Sequence, residues 1–240
     1  MTKINAIWRK EFHTFWYSFI AYIVIAVFIG TTSWLYFRTF FVMNDANLTG
    51  FFGALPALFL LIMPALTMRQ WAEEHKTGTI ELLMTLPVRE WELVLGKYLA
   101  AVSFLVIMLL LTLPLTLTVA AMSQNGLDWG VVVTSYLGTL LMGAAYLAIG
   151  GWVSSFTTNQ IVAFILGAAL IGAAILIGEA VVTMFVSGGL SQFLSYLGLS
   201  QHYQSIMRGV IDSRDIIYYA SVIFLFLYLT VRAVENRKWS

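Results

Sequence analysis

The chain has 240 residues, 60% of them apolar and only 10% charged, with no cysteine and a formal net charge of +1. A soluble domain of this length needs polar side chains to cover its surface, and average domains carry about 25% charged residues, so the main solvent of this chain is lipid. The near balance of charge leaves no global field for nucleic acid or an acidic substrate, and the lack of cysteine excludes disulfide scaffolds, Cys-based zinc or iron–sulfur sites and thiol catalysis.

Ile4, Ile7, Trp8, Phe12, Phe15 and Trp16 recur at helical spacing, with Lys3, Arg9, Lys10 and Glu11 off that stripe. The pattern predicts a helix lying flat at the headgroups, the alternative being a frayed end of the first membrane span. A basic stretch before an apolar one also resembles a signal peptide. The apolar run is too long for one, and Thr31 to Trp34 offers no small-residue cleavage site, so the segment is expected to remain in the mature protein.

A helix crosses about 30 Å of hydrocarbon in roughly 20 residues, and a charge at its centre costs about 2.5 to 3.5 kcal/mol on insertion scales, so charge-free runs mark crossings. Six are expected, at about 18–40, 51–70, 98–122, 130–153, 160–182 and 216–234, within one transmembrane domain over 1–240. The second carries Pro56 and Pro64, which kink or locally unwind a helix. The uncharged run from Trp129 to Gly178 is too long for one crossing and breaks at Ser154, Ser155, Thr157, Thr158 and Asn159. With the N-terminus inside, that side holds Lys3, Arg9, Lys10, Arg69, Lys76, Arg89, Lys97, Arg232, Arg237 and Lys238. The other side holds only Arg38, Arg208 and Arg214, so both termini are expected in the cytoplasm.

Nine charged residues crowd between Arg69 and Lys97. Gly78 is expected to break the helix that continues inward from the second span. Thr79 can cap a new helix whose first turn holds Glu81 at the positive end of the dipole. Ile80, Leu83 and Met84 share one face until Pro87 ends this short helix; Pro87 can also open the next one in its first turn, where Val88, Trp91, Leu95 and Tyr98 form a stripe leading into the third span. A short helix with an apolar face, held between two rigid arms, is read as a docking element for a partner protein, a helix resting on the headgroups being the bland reading.

Glu179, at the outer end of the fifth span, is costly at membrane depth. It is expected either to line a pathway or pair with Arg208 or Arg214, or simply to reach headgroup water. In the same span Ala163, Gly167, Ala168, Gly172, Ala174 and Gly178 permit close helix packing. After Gly188-Gly189 the chain is too polar for a crossing, yet Leu190, Phe193, Leu194 and Leu197 keep an apolar stripe. With Ser200 to Asp212 it is read as a broken hairpin dipping into the outer leaflet and closing the outer mouth, Glu179, Arg208 and Asp212 being the residues of a pathway or outer gate; an ordinary interfacial helix is the alternative.

No catalytic, cofactor or metal residues are expected. Neither Gly78-Thr79 nor Gly150-Gly151 is followed by the lysine that a phosphate-binding loop requires. His13, His75 and His202 fall in separate segments without ligand spacing. Glu73, Glu74 and His75 form the one cluster on which a lipid-modifying enzyme would have to rely.

The run Glu74-x-x-x-Gly78-Thr79-x-Glu81-Leu82-Leu83, followed by Leu86-Pro87 and Gly96-Lys97, resembles the signature of type-2 ABC exporter permeases. More narrowly, it is similar to that of the gliding-motility permease GldF and the copper-site maturation permease NosY. The segment Tyr203-x-x-Ile206-x-Arg208-Gly209-Val210-Ile211-Asp212-x-Arg214-Asp215-x-x-Tyr218-Tyr219 is similar to the one leading into the last span of GldF-like proteins. The resemblance implies an all-α permease of the bacterial inner membrane with six spans, an N-terminal interfacial helix, a cytoplasmic coupling helix and an outer re-entrant segment. It also implies a homodimer or pseudo-dimer that binds two cytoplasmic ATP-binding subunits, which hold ATP and magnesium, and leaves room for an accessory protein. Glu74, Gly78, Thr79, Glu81, Leu82, Leu83 and Pro87 would then sit in or near a groove on the ATPase. A non-transporting anchor for ATPase-powered motility or envelope assembly would use the same loop.

Overall fold

A computed structural model of the chain describes residues 3–43, 48–80, 88–123, 126–179 and 188–236, and the regular elements among them are α-helices. Helix α1 (Lys3–Tyr17) ends at Ser18, and α2 (Phe19–Met43) begins anew, so the N-terminal amphipathic helix is an element of its own rather than a frayed end of the first span. Then come α3 (Thr49–Thr67), the short α4 (Ala72–Thr77), α5 (Glu90–Leu110), α6 (Leu113–Met122), α7 (Trp129–Ser154), α8 (Gln160–Leu176), α9 (Gly189–Leu197), α10 (Leu199–Met207) and α11 (Ser213–Asn236).

Five stretches among the described residues are long and apolar enough to cross a membrane: Phe19–Arg38, Thr49–Thr77, Glu90–Met122, Trp129–Ser154 and Ser213–Asn236. The chain is a multi-pass membrane protein. The expected fifth span, 160–182, is represented by α8, a 17-residue apolar helix continued as a turn to Glu179; residues 180–187 lie outside the described ones.

The third span ends at Met122 as expected but starts earlier and is broken within. Its helix begins at Glu90, three residues after Pro87, with Arg89 as N-cap and the Glu92 carboxylate accepting from the Arg89 N–H at 2.9 Å. Val88 and Arg89 precede the helix, and Pro87, expected to open it, lies outside the described residues. The buried stripe is Leu93, Val94, Gly96, Lys97, Ala100 and Ala101, while Trp91 is exposed, because α1 packs along this side of α5. Farther on, the helix breaks at Leu111-Thr112. Pro114 has no N–H and its ring would collide with the Leu110 carbonyl, so α5 stops there and α6 starts with Pro114 in its first turn. The hydroxyls of Thr112 and Thr116 both reach the Tyr136 hydroxyl, at 3.0 and 2.7 Å, which supplies polar partners beside the break.

Helix α7 is the hub, packed by α3, α5, α8, α10 and α11 and buried without interruption from Met142 to Gly151. Gly150-Gly151 has a packing role: a β-carbon on Gly150 would overlap Thr67 of α3. The small residues of α8 serve the same core. Ala163 and Gly167 are buried, Gly167 facing Pro64 of α3 and the backbone of Gly150. Side-chain oxygens cap α7 and α8, Asp128 accepting from Gly130 and Val131 and Asn159 from Ile161.

Ile7 of α1 and Val231 and Val234 of α11 pack in one small cluster with Trp71, Leu93 and Val94, so the described chain ends share one end of the bundle. The α9–α10 hairpin covers the opposite end.

Candidate functional site

The site lies at the end of the bundle that holds the chain ends, where α3 gives way to α4. The Ser154 hydroxyl at the end of α7 donates to the Met68 carbonyl and accepts from the N–H groups of Trp71 and Ala72 at 3.2 and 3.3 Å. This single hydroxyl satisfies the turn that would otherwise leave backbone donors orphaned at a helix start. His75 Nε2 is 3.1 Å from the Ser155 carbonyl. Helix α4 carries Glu73, Glu74, His75 and Lys76 in succession, which takes it beyond the apolar span.

Into this frame α5 delivers Lys97, whose side chain is only 2% exposed. Its Nζ lies 2.6 Å from Glu74 Oε1 of α4, 3.0 Å from Glu11 Oε1 of α1 and 5.2 Å from the centre of the buried Trp71 ring. Taking an ammonium out of water costs several kcal/mol, and only close counter-charges and an aromatic face offset it. Two carboxylates meet one ammonium, with Glu74 Oε2 buried and without a hydrogen-bond partner among the described residues. Burial raises the Glu74 carboxyl above its ordinary value, with the attraction of Lys97 opposing that rise. Beside Lys97, a β-carbon on Gly96 would come within 2.6 Å of Ile7, so α1 rests directly on the α5 backbone. The Arg69 guanidinium grips both oxygens of Glu73 at 2.9 and 3.1 Å and donates to the Ser18 hydroxyl between α1 and α2. A cavity of about 290 Å³ opens between these groups, lined on its ionic side by Lys10, Glu11, Arg69, Glu73, Glu74 and Lys97.

Gly78 ends α4 with φ +70°, a left-handed conformation suited to glycine, and Thr79 and Ile80 are helical again. The break expected there is present. Gly78 and Thr79 are exposed, but Ile80 turns inward onto the Trp71, Leu93, Val94 and Val234 cluster rather than offering its face to solvent. Glu81, Leu82, Leu83 and Pro87 lie outside the described residues. Glu74, expected with them in or near a partner's groove, is ion-paired with Lys97. The cluster Glu73, Glu74, His75 is divided among three partners, Arg69, Lys97 and the Ser155 carbonyl.

At the opposite end, Glu179 and Arg208 line one cavity of about 470 Å³ between α3, α8 and α10, together with Tyr203 and Gln204. Asp212 is not among its lining residues. Its carboxylate accepts from the Arg214 N–H at 2.9 Å and its carbonyl from Asp215, which makes it the cap of α11. An Asp immediately ahead of a helix start was the signal for that role.

Sequence reasoning missed the ionic tie, because Glu11 and Lys97 are 86 residues apart and each alone reads as a surface charge at a membrane boundary. It also missed the buried pair of His202 and Asp215, 2.7 Å apart.

A search among curated proteins finds no significant match. The family model described as ABC-2 family transporter protein matches residues 6–234, nearly the whole chain, and so takes in α1, the ionic tie and the last span together. The chain belongs to the ABC-2 transporter family and is a membrane permease component of an ABC transporter.

Proposed function

We propose that this permease is the membrane half of an ATP-driven exporter, coupled through the segment 78–89 to a separate cytoplasmic subunit that binds ATP and magnesium. The observation that carries the reading is the Lys97 tie. One buried ammonium joins α1, α4 and α5, the three helices that frame this segment, so a push on the segment moves them as a unit. Two copies of the chain, in the bacterial inner membrane with both termini in the cytoplasm, would pair around the substrate path. Six crossings are supported by the shared end of the chain termini and by α8. That helix leaves the Ser155 end and reaches Gly178, beside Gly198 in the far hairpin. Its 17 residues span about 26 Å. The similarity to the GldF and NosY permeases of the segments quoted above supports the exporter type.

The test is co-purification with the ATP-binding subunit and its ATPase rate in nanodiscs. Gly78→Trp and Glu81→Lys are expected to abolish stimulation or assembly while the permease still folds. Unchanged assembly and transport in both variants would overturn the proposal.

A further inference from the structure

The α9–α10 hairpin is fastened to α11 by polar bonds as well as by ring contacts and shared core residues. The Tyr218 hydroxyl donates to the Leu197 carbonyl and the Tyr219 hydroxyl to the Leu199 carbonyl. Between them sits His202 of α10, its ring stacked on Tyr218 with centroids 3.9 Å apart. His202 Nδ1 is 2.7 Å from Asp215 Oδ1 and Nε2 is 2.8 Å from the Tyr196 carbonyl. The two side chains are 6% and 8% exposed.

This geometry fixes a proton count. A carbonyl only accepts, so Nε2 carries a hydrogen; the bond between Nδ1 and Oδ1 needs a second. The pair therefore holds two protons, as imidazolium with carboxylate or as imidazole with carboxylic acid, and is neutral overall in either form. Removing one leaves a net negative charge buried in the joint, and a lone pair facing either the Tyr196 carbonyl or the Asp215 oxygen. The titratable groups facing the pair are all phenols: Tyr196 from α9 and Tyr218 and Tyr219 from α11, with Tyr219 adjoining Tyr146 of α7 and Tyr203 of α10. Among these described neighbours no cation stands by to hold the pair's shape once a proton leaves.

We propose that His202 and Asp215 form a proton-holding latch that keeps the α9–α10 hairpin closed on α11, so that this end of the permease opens as the pH at its surface rises. The sign follows from the count: in acid the opened pair also holds two protons, but once the pH passes the ordinary range of an exposed imidazole the opened pair gives one up while the closed pair keeps both, so closure weakens as the pH rises. Hairpin opening at this end would then depend on external protons as well as on events at the Lys97 tie. The inference does not rest on the identity of the ATPase partner, and it is tested on the chain alone.

The experiment is amide hydrogen exchange on the full chain in nanodiscs, read as protection of peptides covering 189–207 after correction for the intrinsic exchange rate. In the native protein, protection is expected to fall at least about tenfold between about pH 5 and pH 8, the interval in which imidazoles change charge. In His202→Gln, which cannot titrate, it should be flat. Tyr218→Phe, which loses one bond but keeps the stack, should retain the native slope at lower overall protection. A second readout on the native sequence needs no variant at the latch: ¹⁵N shifts of the His202 ring, assigned by removing His13 and His75, should keep the closed-state pattern, with Nε2 protonated, through the pH range in which protection falls. A flat native profile, an unchanged slope in His202→Gln, or loss of the Nε2 proton from the closed-state ring before protection begins to fall would overturn the proposal.

Discussion

The Tyr203 hydroxyl donates at 2.8 Å to the Phe52 carbonyl, the acceptor that Pro56, four residues on, leaves without its helical N–H. Both residues are buried, and the bond spans 151 positions of sequence. A proline within a membrane helix is tolerated when a neighbour takes up the freed carbonyl, and here that neighbour is the far-end hairpin. Tyr203→Phe should therefore destabilise the fold by about 1 to 3 kcal/mol, the cost of an orphaned buried acceptor. Pro56→Ala restores an N–H to the Phe52 carbonyl, so the same substitution in that background should cost much less. Melting of the four proteins of the cycle in one detergent checks this; equal losses in both backgrounds would show that Phe52 is not the partner that matters.

Lys97 gives the second prediction. Lys97→Met alone leaves the half-buried carboxylates of Glu11 and Glu74 facing each other with Lys10 as a remaining nearby cation, and breaking a buried pair from one side costs up to about 3 to 5 kcal/mol. Neutralising all three, as Lys97→Met with Glu11→Gln and Glu74→Gln, removes the repulsion along with the attraction and should recover most of that loss. Thermal unfolding is expected to rank native protein and triple variant above Lys97→Met. If the triple variant melts as early as the single one, the tie acts by packing on Trp71 rather than by charge.

Why the spans could be read and the ties could not is visible in these two cases. Charge-free runs of roughly 20 residues are a local property, and so is the left-handed break at Gly78; the positions of α2, α7 and α11 follow from such signals. Burial of Lys97 is not local. It depends on Glu74, 23 residues away, and Glu11, 86 residues away, meeting on a surface that exists only after α1 folds back on α5. Pro56 signalled a disturbed helix, but the donor that repairs it is far off in sequence. Of the stripe from Val88 to Tyr98, Leu95 and Tyr98 are half-buried and Tyr98 packs on the core, while Trp91 is exposed and the buried face runs through Leu93, Val94 and Lys97 beside it.

Gly178 and Gly198 meet backbone to backbone where the end of α8 touches the joint between α9 and α10. A β-carbon on Gly178 would lie 2.6 Å from the Gly198 α-carbon, and the reverse contact is closer still. No rotamer change relieves a clash with main chain. Alanine at either position should push the hairpin off α8 and break the bond from Gln201 Nε2 to the Gly178 carbonyl, now 3.0 Å. Hydrogen exchange should show lost protection over 199–207, with the α3–α5–α7 core unchanged. A native exchange pattern in both alanine variants would rule out this contact as the seat of the hairpin.

The last prediction concerns Gly96 and Ile7, where α1 is seated on α5. A methyl group at 96 would come within 2.6 Å of the Ile7 Cγ2 and 2.8 Å of its Cβ, so the branch point as well as the tip of that side chain must move. Helix α1 contributes no fully buried residue, and its grip includes this contact, the Trp8 bond to Ser103, the rings of Phe15 and Trp16 on Phe104 and the Glu11 ion pair. Gly96→Ala should lift α1 at this point, lengthen the Glu11 to Lys97 bond, and cost about 1 to 3 kcal/mol, the range for overpacking. Ile7→Ala removes the obstructing atoms, so Gly96→Ala/Ile7→Ala should regain part of the loss and all of the placement. A cysteine pair across Trp8 and Ser103, introduced into this cysteine-free chain, reads that placement by its crosslinking rate. The rate should fall in Gly96→Ala and recover in the double variant. An unaltered rate in Gly96→Ala would mean that α1 is seated by its charges and rings and not by the missing side chain at 96.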